Sequence, residues 1–225
     1  MLKGKSVAVK DLTDAQKKRM FEIMQAHYEN ISKGVFSADL SKKQDAILLC
    51  DEQGEIYGFT TLRLFHQNKV QLVFSGDTIV EPEYWSKNDL SQTWITKTME
   101  YANDFDGKTY WLLLTKGYKT YKLLHTFFNE FYPRYDAETP QDLQKIINDF
   151  AISQYSDKYQ NGVYFEGKDF LKEEFDTINE NKMRDKNTAF FLDKNPDYKK
   201  GNELVCLAEI STENLNRLGR KMLGV

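Results

Sequence analysis

Three side chains that carry titratable protons lie close together between residues 118 and 125. Tyr118 and Tyr121 are three residues apart, and Tyr121 and His125 are four apart, so on a helix they share one face. The chemistry open to such a set is proton transfer. A carboxylate stands apart upstream, Asp77, inside the strand-like run VFSGDTIV at residues 73–80. A strand that only filled a core would have little use for Ser75-Gly76-Asp77-Thr78 in its middle. Gly76 permits a bulge or the close approach of a ligand backbone, and Pro82 cannot donate to a ladder, so pairing ends before Glu81-Pro82-Glu83-Tyr84-Trp85. The run reads as a strand that stops pairing partway.

Several chemistries find no support. Cys50 and Cys206 are isolated in apolar strand-like contexts, no CxxC or HxxxH spacing occurs, and neither cysteine has a histidine nearby in sequence. We expect buried, reduced thiols, no metal and a cytoplasmic protein. No GxSxG, P-loop or GxGxxG pattern occurs, which removes serine hydrolases, nucleotide kinases and dinucleotide oxidoreductases. The net charge of −3 gives no footprint for nucleic acid. No run of 18 apolar residues predicts a membrane span, and MLKGKSVAVKDLT lacks the apolar core of a signal peptide. The 13 Tyr, 15 Phe and 3 Trp suit a core and also a pocket for a greasy or extended ligand.

The elements that must position these residues follow from periodicity and punctuation. Val7–Val9 predicts a short strand, and Thr13 or Asp14 caps an amphipathic helix over 14–32, with a shorter helix over 36–45. Two apolar runs flank Asp51-Glu52-Gln53-Gly54 and predict a β-hairpin, which a third strand from Lys69 extends into a meander. A helix over 90–105 separates that strand from a buried strand at 109–115. The β-α-β step demands a crossover, so these two strands are parallel neighbours in a mixed sheet. Helices over 119–131 and 141–154 follow, then a polar region with a candidate helix at 168–178, the strand LVCLAEI and a final capped helix over 211–223. The fold class is α/β with a mixed sheet. Residues 1–138 read as one domain and 139–225 as an extension on it, with helices and one or two strands.

This element order, with IVEPEYW closing the strand at residues 79–85, resembles the GNAT acyltransferase superfamily over roughly residues 5–135. The resemblance implies a bulged strand splaying from its parallel neighbour, with an acyl thioester lying in the opening, and an amine as acceptor. It places Ser75, Gly76, Thr78, Glu81, Trp85 and Tyr118 around the substrate, and Ile79, Val80, Lys87 and Asn88 along the donor. Acyl transfer to an amine needs a base and an acid for the departing thiolate. Asp77 is the candidate base or amine anchor; its other reading is a cap on the local backbone. The family's usual tyrosine falls at Phe127, so Tyr118, Tyr121 or His125 would supply the acid. The family's glycine-rich pyrophosphate loop is replaced by Ser86-Lys87-Asn88-Asp89-Leu90. The donor is then an acyl carrier protein or acyl-CoA, as co-substrate rather than tightly bound cofactor. The alternative is an inactive module that binds a small molecule or protein partner.

Overall fold

The computed structural model describes residues 1–67, 69–155, 158–160, 162–165, 170–172 and 180–225. The chain starts with β1 (Lys3–Ala8) and enters α1 (Asp14–His27) through a capping box. The Thr13 hydroxyl accepts from the Gln16 amide at 3.2 Å, and the Gln16 side chain accepts from the Thr13 amide at 2.9 Å. The helix stops at His27 rather than 32, because Tyr28–Glu29 (β2) pairs with Phe170–Leu171 (β9). α2 (Lys33–Leu40) follows, then a meander of β3 (Asp45–Cys50), β4 (Ile56–Gln67) and β5 (Val70–Val80). The β3–β4 turn is set by Asp51, whose Oδ1 accepts from the Gln53 and Glu55 amides at 2.9 Å each.

α3 (Asp89–Asn103) carries the chain back over the sheet to β6 (Lys108–Thr115), which runs parallel to β5 as the crossover argument requires. α4 (Tyr118–Phe127) and α5 (Gln141–Tyr155) come next, then β7 (Tyr159–Gln160), β8 (Val163–Phe165) and, past β9, α6 (Glu180–Met183) and α7 (Lys186–Lys194). The candidate helix at 168–178 lies mostly outside the described residues, and its described part contains β9. The chain closes with β10 (Asn202–Glu209) and α8 (Arg217–Leu223). The last helix starts six residues later than expected. Asn216 is its cap, accepting from the Leu218 and Gly219 amides.

The result is an eight-stranded mixed sheet in the order β1-β3-β4-β5-β6-β10-β8-β7. One face carries two apolar clusters: Met20, Ile23, Phe36, Phe59 and Ile79 under α1 and α2, and Leu72, Tyr110, Leu112, Ile147 and Phe150 under α5. The other face is a single larger core that joins Trp94, Trp111, Tyr121, Phe191 and Met222. Trp94 and Trp111 meet with ring centroids 4.5 Å apart, a tilted aromatic pair at the centre of this layer.

The segment after residue 138 does not sit on the outside of the sheet. It feeds β10 in beside β6, with Leu204↔Thr115 through Glu209↔Tyr110 in antiparallel register, and β8 and β7 continue beyond it. The sheet is continuous across the boundary drawn at residue 138, because β6 needs a partner on the side away from β5. A chain ending at residue 138 is expected to lose its cooperative thermal transition, since the edge of β6 and its apolar faces are laid open. Circular dichroism melting of that truncation against the full chain checks this.

Candidate active site

The site begins where two parallel strands part. β5 and β6 are in register from Val70↔Lys108 to Ser75↔Leu113, and the pairing ends there. Among the described residues, β5 runs on to Val80 with only β4 beside it, and β6 runs on through Leu114 and Thr115 with only β10 beside it. The cause is a β-bulge. Phe59 of β4 pairs with Ile79 and Thr61 pairs with Gly76, so Asp77 and Thr78 together face Thr60. The extra residue adopts φ of +40°, and it is Asp77 that does so. Aspartate is among the few side chains that tolerate this left-handed conformation. Thr60 holds the bulge from across the ladder: its Oγ1 lies 2.8 Å from Thr78 Oγ1, and the Thr61 hydroxyl donates to the Gly76 carbonyl at 3.0 Å.

Gly76, expected to permit the bulge or a ligand's close approach, precedes the extra residue and has a further role. A Cβ there would lie 2.7 Å from Lys43 Nζ and 3.2 Å from both Phe74 and Thr61. The glycine makes room for a buried ammonium. The Lys43 side chain is 3% exposed, pairs with Asp39 at 2.9 Å and sits 4.7 Å from the Phe74 ring centroid. Nothing in the sequence SKKQD marks Lys43 as the lysine that is buried.

The carboxyl ends of β5 and β6 both turn into helices beside the opening, the usual location for ligands in α/β sheets. After Thr115, whose hydroxyl accepts from the Gly117 amide at 3.2 Å, α4 starts at Tyr118. After Val80 the chain makes a short turn at Pro82–Tyr84 and presents Trp85, which is 48% exposed. The Trp85 indole donates to the Val80 carbonyl at 2.6 Å, and Lys119 of α4 lies 3.9 Å from its ring centroid. Trp85 and Lys119 thus meet across the mouth of the opening.

The expected site residues divide into those at the opening and those held elsewhere. Asp77, Thr78, Val80, Trp85 and Tyr118 border it. Ser75 is corrected: it is buried, and its hydroxyl accepts from the Trp94 indole at 2.8 Å, so it anchors α3. Ile79 points into the core under α1, leaving only its backbone for a ligand. Glu81 is ion-paired with Arg19 of α1 at 2.7 Å and ties that helix to the end of β5. Tyr121 is also corrected. It is 0% exposed, donates to the Pro133 carbonyl at 2.8 Å, and packs against Phe131, Phe190 and Phe191. Burial pushes its hydroxyl far above the usual tyrosine range. The shared helix face is real and both its tyrosines are buried, Tyr121 among Phe131, Phe190 and Phe191 and Tyr118 at the first turn of α4, next to the end of β6. His125, two turns from the strand end, is half-buried, and its carbonyl accepts from Asn216.

The start of α3 departs most from what the resemblance implies. The first turn rests on β1, where a Cβ on Gly4 would lie 2.5 Å from the Asp89 carbonyl oxygen and 2.1 Å from Thr93 Oγ1. In the sheet order β1 is three strands away from β5. Lys87 and Asn88 are exposed just before this turn, Asn88 makes no side-chain capping bond, and Asp89 puts a negative charge into the first turn. Among the described residues no group of three or more His, Cys, Asp or Glu side chains is placed to hold a metal. No described helix is long and apolar enough to cross a membrane.

No family model and no curated protein matches the chain. Among solved structures it is similar to a GNAT-family N-acetyltransferase from Escherichia coli in complex with CoA, at 14% identity over 56% of this chain and 69% of that one, with a TM-score of 0.40. It is similar to a probable N-acyltransferase of unknown function from Enterococcus faecalis, at 14% identity and TM-score 0.45, covering 70% of this chain but only 45% of that one. A Trypanosoma brucei acetyltransferase matches at 16% identity and TM-score 0.39, over 63% of this chain and 99% of that one. Likeness at this level carries no argument about activity, which rests on the strand geometry.

The placement of Tyr121 makes a sharp expectation. Tyr121→Phe should cost about 1 kcal/mol of stability through the lost bond to Pro133, and should leave ligand binding at the opening unchanged. Chemical denaturation of the variant measures the first and ligand titration the second.

Proposed function

We propose that this chain is an N-acyltransferase that moves an acyl group from a pantetheine thioester to an amine. The observation that supports it most is the end of β5–β6 pairing at Ser75↔Leu113, with β5 continuing to Val80. Among the described residues no strand pairs with the β6-facing side of β5 beyond Ser75, and an extended amide-bearing arm satisfies such an edge by adding to it. In this reading the pantetheine arm lies between the strands with its carbonyl carbon beside the bulge. The acceptor nitrogen attacks that carbon, Asp77 takes the nitrogen's proton, the C–S bond breaks, and the thiolate takes a proton from Tyr118. Tyr118, itself buried at 4% exposure, takes this role in place of Tyr121 and His125 because it stands at the first turn of α4, directly after the strand end.

The donor in this reading is carried on phosphopantetheine of an acyl carrier protein rather than as coenzyme A. Two features support that choice. Ser86-Lys87-Asn88-Asp89 has no glycine with which to wrap a pyrophosphate, and the first turn of α3 is held against β1. A non-catalytic binding module is the second reading. It is favoured by Trp85, which already occupies the Val80 carbonyl and reaches Lys119 across the mouth.

Incubation with panels of acyl-CoA and acyl carrier protein, with amine mixtures, followed by intact-mass detection of acyl transfer, separates the readings. Transfer from the carrier protein is the expected result. Binding without turnover from either donor class would leave the module. Asp77→Asn distinguishes chemistry from folding: asparagine also tolerates φ of +40°, so the variant should keep the wild-type circular dichroism spectrum while turnover falls by about 10²-fold or more.

A further inference from the structure

The face of the sheet that carries α1, α2 and α5 has two separate apolar clusters, and Phe65 and Phe74 pack against the edge of the one under α5, Phe65 meeting Phe150 at 5.0 Å. Arg63 lies in the middle of β4, opposite Phe74 in register, two strand pairs along from Thr61↔Gly76. Its guanidinium lies 4.3 Å from the Phe65 ring centroid, and Phe65 in turn meets Phe74 at 6.5 Å. Beyond Phe74 comes the Lys43 ammonium at the bulge. Two cations therefore rest on two neighbouring rings, in a row that ends beside Gly76. Their electrostatic states differ. Lys43 is buried and paired with Asp39, whereas among the described residues Arg63 has no ion pair, and it is half-buried between Leu62 and Leu64.

A half-buried arginine costs desolvation, and stacking on one ring returns only part of it. What its planar fork matches best is a carboxylate taken bidentately. The distance also fits a small acceptor. Phe74 and Gly76 are two strand positions apart, roughly 7 Å, so an amine at the bulge could present a carboxylate to Arg63 within a few bonds. We propose that the amine acceptor carries a carboxylate and that Arg63 is the residue that reads it, with Lys43 adding positive field at the bulge end. This rests on the acyltransferase reading for the identity of the ligand as an acceptor. The preference for a carboxylate is a separate matter of binding.

The test is therefore equilibrium binding in the absence of any acyl donor. The probes are pairs that differ only in the carboxylate: L-leucine and L-leucinamide, L-phenylalanine and L-phenylalaninamide, 4-aminobutyrate and butylamine. Wild-type protein should bind at least one acid about tenfold or more above its partner. Arg63→Gln should abolish that preference by weakening the acid and leaving the uncharged or cationic partner unchanged. Arg63→Lys, which keeps the charge without the fork, should retain only part of it, and both variants should melt like wild type. Equal binding of acid and partner, a preference that survives Arg63→Gln, or no binding of any acid in the panel would overturn the proposal. If the acid preference is found while no donor supports turnover, the acyltransferase reading fails and the carboxylate site stands. Turnover with no acid preference has the opposite meaning.

Discussion

One extra residue in β5 governs how this molecule is arranged. Before the bulge, Leu72 and Phe74 face α5 while Val73 and Ser75 face α3. After it the parity is reversed, with Ile79 under α1 and Val80 on the α3 side. A strand's side chains alternate with period two, so a single insertion exchanges the faces for everything beyond it. The same insertion bends β5 away from β6, and the parallel ladder ends at Ser75↔Leu113. The apolar cluster beneath α1 and α2, the separate cluster beneath α5 and the opening between β5 and β6 are consequences of that local geometry.

The bulge is held by polar contacts on both faces. Thr60 and Thr78 share a hydrogen bond, the Thr61 hydroxyl takes the Gly76 carbonyl, and the Lys43 ammonium fills the space a side chain at 76 would need. A left-handed residue such as Asp77 costs on the order of 1 kcal/mol or more and persists where its surroundings over-determine it. Such strain is concentrated at functional sites in folded proteins. That is why Asp77 is more informative here than its charge alone, and why the contacts of Thr60, Thr61 and Lys43 belong to the same functional unit.

The sequence carries the architecture well and the side-chain directions poorly. The meander, the parallel β5–β6 pair and the break near Gly76 are all legible, because turn residues, Gly76, Pro82 and alternation are local signals. The helix face of Tyr118, Tyr121 and His125 is legible too, but which way it turns depends on what covers it. Phe190, Phe191 and Phe131 arrive from other parts of the chain and draw Tyr121 inward. Lys43 is hidden for the same reason, since nothing near it in sequence shows that β5 will leave it a cavity. Arg63 did carry a signal: a charge between two leucines inside TTLRLF, at an interior position of a strand. β10 is harder to place than to recognise. LVCLAEI reads as a strand, but its seat beside β6 is a non-local choice between edges of the sheet.

The central claim is that the β5 edge beyond Ser75, which no strand among the described residues pairs on the β6 side, accepts an extended ligand. Amide hydrogen exchange over residues 70–80, with and without a pantetheine thioester, measures this directly. The account predicts strong protection through residues 70–75 in the free protein, fast exchange for the slot-facing amides among 76–80, and their protection on adding the thioester. Uniform protection of residues 70–80 in the free protein, or fast exchange that the thioester leaves unchanged, would contradict it.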